Sequence, residues 1–328
     1  MMHNPFAVSR RAILAAFATG VPVRGARAQA WPSRPIRMIV AFGAGSGSDV
    51  RARVIGERLA ADLGQPVVID NRGGANGFLA AEAVARARPD GYTLLFTSNS
   101  THAANPALFR RLPYDPIADF EPVAMVGETP LIIVVNNELP VRDLAGLVGY
   151  AKANPGRLNY ASGNTSSRVG AEMFKLATGI DMIYVSYRSN AQAMTDVIAG
   201  NAQVMFSDAV VGIPQVREGA VRAIGITGKQ RIRALPAVPT VAATLGLPDF
   251  EIHSWSAVFA PAGTPADIVA KLNTRIREIL AQPDIRARME EEGTEVPPLD
   301  SAGVGRFVVA EIAKWRRVVA QAGIEVAP

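Results

Sequence analysis

The 328-residue chain is 49% hydrophobic and 19% charged, with 29 glycines, 23 prolines and no cysteine, enough for two α/β domains with sizeable cores. The lack of cysteine excludes disulfide staples and thiolate catalysis, and there is no apolar run of about 18 residues to form an ordinary membrane span. The formal charge of +5 resides mostly in the first thirty residues, which hold Arg10, Arg11, Arg24 and Arg27 and no acid; the remainder has 30 basic against 29 acidic residues and no basic tract suited to nucleic acid.

Those thirty residues read as an export signal. "SRR" (Ser9 to Arg11) precedes the apolar "AILAAFATGVPV", and "AQA" (Ala28 to Ala30) has the small-x-small form of a cleavage site. Gly20 and Pro22 argue against a cytosolic first helix. Cleavage is expected after Ala30, leaving Trp31 first and the protein in the periplasm. "SRRAIL" approaches the twin-arginine pattern but lacks the Lys that commonly follows; general secretory signals also carry arginine pairs, so both routes stay open.

From Pro35 strands and helices alternate. "IRMIVAF" predicts a strand, 49–63 a helix stopped by Gly64, "QPVVIDN" a strand, "NGFLAAEAVARARPDG" a helix and "YTLLFTSNS" a strand. This βαβαβ order implies a parallel sheet covered on both faces. The pattern restarts after "EPVAMVGETPLIIVVNN" (121–137), with strands at "LNYAS", "MIYVSY", "AQVMFSD" and "VRAIGITG" separated by helical segments. A second apolar run, "HSWSAVFAPAG", precedes three helical segments. Both runs are too long for one ordinary strand. Each is therefore expected to cross between two α/β lobes: residues 31–129 and 256–328 in lobe 1, and 130–255 in lobe 2. Trp255 lies in the return crossing, so closure of the lobes is expected to alter its surroundings.

The loop "VAFGAGSGSD" (40–49) joins the first strand to the first helix, and four readings compete for it. A P-loop needs a Lys after the glycines, and none follows. A nucleophile elbow needs G-x-S-x-G, which is missing. A dinucleotide loop is partly matched by Gly43, Gly45 and Gly47, with Asp70 ending the next strand; it supports a rival function, a nicotinamide-dependent oxidoreductase. The plainest reading is a tight turn with Ser48 capping the helix. A second loop of the same kind, "YASGNTSSRVGAEMF" (160–174), falls in the other lobe. Each loop offers N–H groups, hydroxyls and a helix N-terminus, which together suit an anion. Ligands of open α/β sheets bind beyond the carboxyl ends of strands. Two such loops in facing lobes would put two anion nests across one cleft, as in a clamshell binding protein, and the opening loop is expected to hold a carboxylate.

Catalytic constellations are sparse. After the leader only His102 and His253 remain, and there is no H-E-x-x-H; no metal and no cofactor is expected. His102 beside the serines of "TSNSTHAANP" reads as a loop hydrogen-bonder. Asp208, at the end of "AQVMFSD", is either a helix cap or a cleft residue. Arg168 and Arg188 are either partners of a second ligand carboxylate or ordinary surface and ion-pair arginines.

Taken in order, "WPSRPIRMIVAFGAGSGSD", "LGQPVVIDNRGGANG", "RPDGYTLLFTSNSTHAANPALF", "LPYDPIADFEPVAMV", "NPGRLNYASGN", "ALPAVPTVAATLGLPDFE" and "APAGTPADIVAKLN" resemble the Bug family, the periplasmic solute-binding proteins of tripartite tricarboxylate transporters. The resemblance covers essentially the whole chain after the leader. It implies a two-lobed Venus-flytrap fold of type II-like form, each lobe a mostly parallel sheet with helices on both faces. It implies no catalysis, a small organic carboxylate as ligand, and delivery to one small and one large membrane subunit; a membrane sensor is a further partner this reading admits. In the family the loop after the first strand and the loop opening the second lobe grip a ligand carboxylate through main-chain amides, hydroxyls and water. Carried over, these are Phe42, Gly43, Ala44, Gly45, Ser46 and Gly47, and Ser162, Gly163, Asn164, Thr165, Ser166 and Ser167. The loop with Ser98, Asn99 and Thr101 and the strand end at Asp208 are expected to complete the cleft. Two positions depart from the family pattern. Ala41 and Gly43 stand where prolines are usual, and Ser207-Asp208 where Asp-Asn is frequent. A negative Asp208 would favour a ligand amino group or hydroxyl, or repel a second carboxylate.

Overall fold

A computed structural model describes residues 31–327; the expected export signal, residues 1–30, lies outside the described residues. Nine strands form one continuous sheet. At one end, β2 (Val67–Asn71), β1 (Ile36–Val40) and β3 (Thr93–Ser98) run parallel. At the other end, β6 (Ile183–Ser186), β5 (Asn159–Ser162) and β7 (Val204–Asp208) run parallel. Between them lie β9 (His253–Pro261) and β4 (Phe120–Asn136), with β8 (Val221–Ile226) paired to β4.

The strand β4 explains how one sheet serves two halves. It runs 17 residues without a break. Its first part, Phe120 to Pro130, pairs with β9; its second, Leu131 to Asn136, pairs with β7 and β8. The run from Leu131 to Val135, β-branched from Ile132 on, is fully buried on both faces, which favours a central strand. The register shifts near Pro122 and Met125, and such irregularities bend a strand. At Gly127 an added Cβ would come within 2.5 Å of the Thr294 side chain, so only glycine lets the segment after Gly293 pack there. The expected parallel sheet is thus mixed. Both crossing strands are antiparallel to their neighbours because one leaves the first half and the other returns to it.

Helices flank the sheet, among them α2 (Phe78–Ala85), α3 (Asn105–Leu108), α4 (Leu144–Ala153) and α8 (Val241–Leu245). The helix α1 (Gly47–Leu63) ends at Gly64, whose φ of +66 supplies a left-handed cap. The first turns are capped from the sequence itself: Asn164 accepts from Ser167 N–H to start α5 (Thr165–Thr178), and Ser189 accepts from Gln192 N–H to start α6 (Asn190–Ile198). A short helix, α7 (Ala209–Arg217), follows β7. In the C-terminal part, α9 (Ala266–Leu280) buries Ile268, Val269, Leu272, Ile276, Ile279 and Leu280. Each such side chain contributes about 1.5–3 kcal/mol when fully buried, so packing rather than intrinsic propensity holds α9 in place. The helix α10 (Pro283–Glu291) follows, and then α11 (Ser301–Gln321).

Around the crossing strands a polar cluster is sealed in the core. Glu311 of α11 is buried and accepts from the indole N–H of Trp255 (3.0 Å) and of Trp315 (3.2 Å), both on Oε2, while Lys314 pairs with Oε1. Trp255 is 1% exposed and meets Phe307 edge-to-face. This places Trp255 in the core, fixed to α11. Burial, reinforced by the Glu311 charge, pushes the neighbouring Glu128 carboxyl up to about 7.

Candidate functional site

The carboxyl ends of β1, β3, β5 and β7 carry the loops singled out in the sequence. After β1, Phe42 is half-buried and Gly43, Ala44 and Gly45 are exposed. The Phe42 carbonyl accepts from the Asn71 side chain at 3.1 Å, and Ser46 N–H donates to the Gly43 carbonyl at 3.2 Å. Gly45 has φ +79, a conformation that costs other residues strain. The cap of α1 is Ser46, whose hydroxyl accepts from Asp49 N–H at 3.2 Å. Ser48, expected as the cap, lies inside the helix because the helix begins at Gly47, two residues earlier than the apolar spacing suggests. Asp49 takes the Gly45 N–H at 2.9 Å and pairs with Arg53 at 3.0 Å. Burial alone would raise its pKa, but these partners bring it below the ordinary value. Among the described residues the N–H groups of Gly43 and Ala44 donate to no protein group.

After β5, Ser162 donates to the Asn164 carbonyl at 2.7 Å, and Gly163 N–H donates to Asn190 Oδ1 at 2.8 Å. Thr165 opens α5, Ser166 and Ser167 lie buried in its first turn, and the Ser167 hydroxyl is buried without a partner. A Cβ on Gly163 would overlap the Ser189 carbonyl and the Asn190 nitrogen; this loop is pressed on the segment before α6. Asp208 ends β7 and accepts from the side chains of Asn164 (2.8 Å) and Asn190 (2.7 Å).

The loops of the two ends meet. Asn99, fully buried after β3, exchanges hydrogen bonds with the Ser166 hydroxyl at 2.7 and 3.0 Å. Gly47 at the start of α1 lies against Val210 of α7, with room for a Cβ at 3.5 Å. Ser98 is buried and accepts from Ser100 N–H at 3.2 Å. Thr101 is fully buried, its hydroxyl shared with Thr97 (2.7 Å) and His102 Nδ1 (2.8 Å); its side chain faces the packing under the loop.

The remaining candidates other than Arg188 have structural partners. His102 stacks on Phe259 at 3.9 Å, and burial lowers its pKa to about 3, so it stays neutral. Asp70 is ion-paired to Arg72 at 3.0 Å. Arg188 is exposed, while Arg168 lies over the Tyr184 ring at 4.6 Å. Arg51, which follows the first loop, is held by Glu292 (2.9 Å), Thr129 and Thr294 (3.2 Å each). Sequence reading passed over Asn190, Asn71 and Asp49. Asn190 follows a strand end in "SYRSN", the same strand-to-helix setting as the two loops, and that was the available signal.

Comparison with known proteins agrees with this architecture. The family model described as "Tripartite tricarboxylate transporter family receptor" matches residues 51–324. The Bordetella pertussis protein BugT is 36% identical over 300 residues, 90% of this chain and 91% of its own. An R. palustris protein solved with adipate superposes with a TM-score of 0.85 at 34% identity, covering 90% of this chain and 99% of that one. MatC from Rhodopseudomonas palustris, solved with bound malate, gives 0.80 at 35% identity, covering 88% and 100%. The chain has the two-lobed α/β fold of periplasmic binding proteins, and the nicotinamide-dependent alternative is left without support. By family model, sequence and fold, the chain belongs to the tripartite tricarboxylate transporter family of receptors.

Proposed function

We propose that the protein captures a small organic carboxylate between the Phe42–Gly47 and Ser162–Ser167 loops and delivers it to a tripartite membrane transporter. One observation carries the reading: two glycine- and hydroxyl-bearing loops, each at a strand's carboxyl end and each opening a helix, belong to opposite ends of the sheet, and those ends touch beside them, Asn99 against Ser166 and Gly47 against Val210. N–H groups at helix starts favour negative charge. Adipate and malate in the two R. palustris relatives support a carboxylate. In this reading residues 31–129 and 256–328 form one lobe and 130–255 the other, with β4 and β9 as the crossings. The partners are one small and one large membrane subunit; signalling to a membrane sensor is the second use of the same closure. No helix of the described residues is long and apolar enough to cross a membrane, and the leader directs the chain to the periplasm.

Expression of the full chain with its leader tests both parts. Protein released from the periplasm should begin at Trp31. A panel of mono-, di- and tricarboxylates should raise its melting temperature; an acid at a hundred times its dissociation constant adds about 2.7 kcal/mol. Protein retained in the cytosol beginning at Met1 would overturn the export reading. A panel with no stabilising acid would overturn the carboxylate reading.

A further inference from the structure

Asp208 is set up as an acceptor that the protein itself does not complete. Its Oδ2 receives two amide donors, Asn164 at 2.8 Å and Asn190 at 2.7 Å, which fix the rotamer. Its Oδ1 is sealed from solvent and has no hydrogen-bond partner. The residue occupies the N-cap of α7, with φ −62 and ψ 145, yet its side chain makes no capping bond. Arg51 supplies a favourable charge, but its guanidinium is held by Glu292, Thr129 and Thr294. Burial pushes the Asp208 carboxyl up, opposed by the two amides and by Arg51.

An unpartnered buried carboxylate oxygen is costly, and such groups in native proteins call for an explanation. A cap would have used it locally, and the helix does without one. The Ser167 hydroxyl is likewise buried without a partner, and its main-chain N–H donates to Asn164 Oδ1 at 2.9 Å. Asn164, Asn190 and Asp208 form one cluster beside the second loop.

We infer that Asp208 is a specificity residue: its Oδ1 accepts a hydrogen bond from a hydroxyl or ammonium group carried by the ligand in addition to its carboxylate. The inference rests on the carboxylate-binding reading above and narrows it to hydroxy or amino acids. A bare dicarboxylate would leave Oδ1 unpaired, and a carboxylate placed against it would be repelled.

The substitution Asp208→Asn sharpens the point. Asn164 and Asn190 both donate to Oδ2, so the new side chain must keep its carbonyl oxygen there. Its NH2 then takes the place of Oδ1, and an acceptor becomes a donor. Calorimetry on the wild type and on Asp208→Asn, each checked for folding by circular dichroism and melting, should use matched probes. These are succinate, malate and aspartate, and adipate with 2-hydroxyadipate and 2-aminoadipate. The wild type should bind a hydroxy or amino acid at least about tenfold more tightly than its bare partner. Malate against aspartate, and the two substituted adipates, separate hydroxyl from ammonium. In Asp208→Asn that preference should vanish or reverse. If bare and substituted acids bind the wild type equally, or if the variant keeps the wild-type preference, Asp208 does not select the ligand, while the carboxylate reading stands. If none of the six acids binds the wild type, and no other carboxylate does, the carboxylate reading itself falls and this inference with it.

Discussion

Gly163→Ala should weaken binding of whichever carboxylate the protein takes by about a hundredfold, or about 2.7 kcal/mol. The added Cβ would overlap main-chain atoms of Ser189 and Asn190, and main chain cannot swing aside as a side-chain tip can. The loop must lift off, which breaks the 2.8 Å bond from Gly163 N–H to Asn190. Asn190 and Asn164 are also the two amides on Asp208, so the disturbance reaches all three strand ends. Overpacking of this kind costs about 1–3 kcal/mol of stability as well. Gly45→Ala should be milder. Nothing lies within 4 Å of its Cβ position, and only the φ of +79 opposes the change, a strain of about 1–2 kcal/mol. Calorimetry and urea unfolding on the two variants should rank them in that order. Gly163→Ala that binds like the wild type would show that the second loop's packing is irrelevant to the ligand.

Glu311→Ala should lower the unfolding free energy by about 3–5 kcal/mol, because it leaves two buried indole N–H groups without an acceptor and Lys314 without its partner. Glu311→Gln keeps an oxygen for the indoles and should cost less. The deficit of Glu311→Ala should also depend on pH. Burial first, and then the charge of Glu311, raise Glu128 from 4.5 to about 7, with Glu251 and Glu295 adding to the rise and Lys314 opposing it. A carboxyl with a raised folded pKa holds its proton better in the native state than in the unfolded one. Its contribution is therefore fully present below about pH 4.5 and is lost as pH rises through 7. Removing Glu311 relieves part of that loss, so the deficit of Glu311→Ala should be smaller at pH 8 than at pH 5. Urea titrations at both pH values check this; a deficit under about 1 kcal/mol, or one that grows with pH, would contradict the role assigned to Glu311.

What the sequence revealed and what it hid follow the range of the interactions. The first loop was legible because three glycines and two serines follow an apolar strand and precede a helical spacing, all within ten residues. The long strand β4 was legible because the apolar run from 121 to 137 exceeds the length of an ordinary strand. The cap at Ser46 rather than Ser48 was not, since a helix start depends on which hydroxyl reaches which N–H. Nor was the antiparallel pairing of β4 with β9, whose partners lie more than a hundred residues apart. Asn190 escaped notice because its role is to join Gly163 to Asp208, residues brought together only by the order of β6, β5 and β7. The tight fit of Gly163 against Ser189 has the same origin. Thr101 has a side chain suited to a cleft, and only its packing against Thr97 and His102 shows it to be interior.

The central claim is that a carboxylate is held between the two loops by main-chain donors. A crystal structure of residues 31–328 with the acid that most raises the melting temperature tests it most directly. The account predicts carboxylate oxygens about 2.7–3.2 Å from N–H groups or hydroxyls of both Phe42–Gly47 and Ser162–Ser167. A carboxylate clamped instead by the Arg168 or Arg188 guanidinium, with both loops empty, would contradict it.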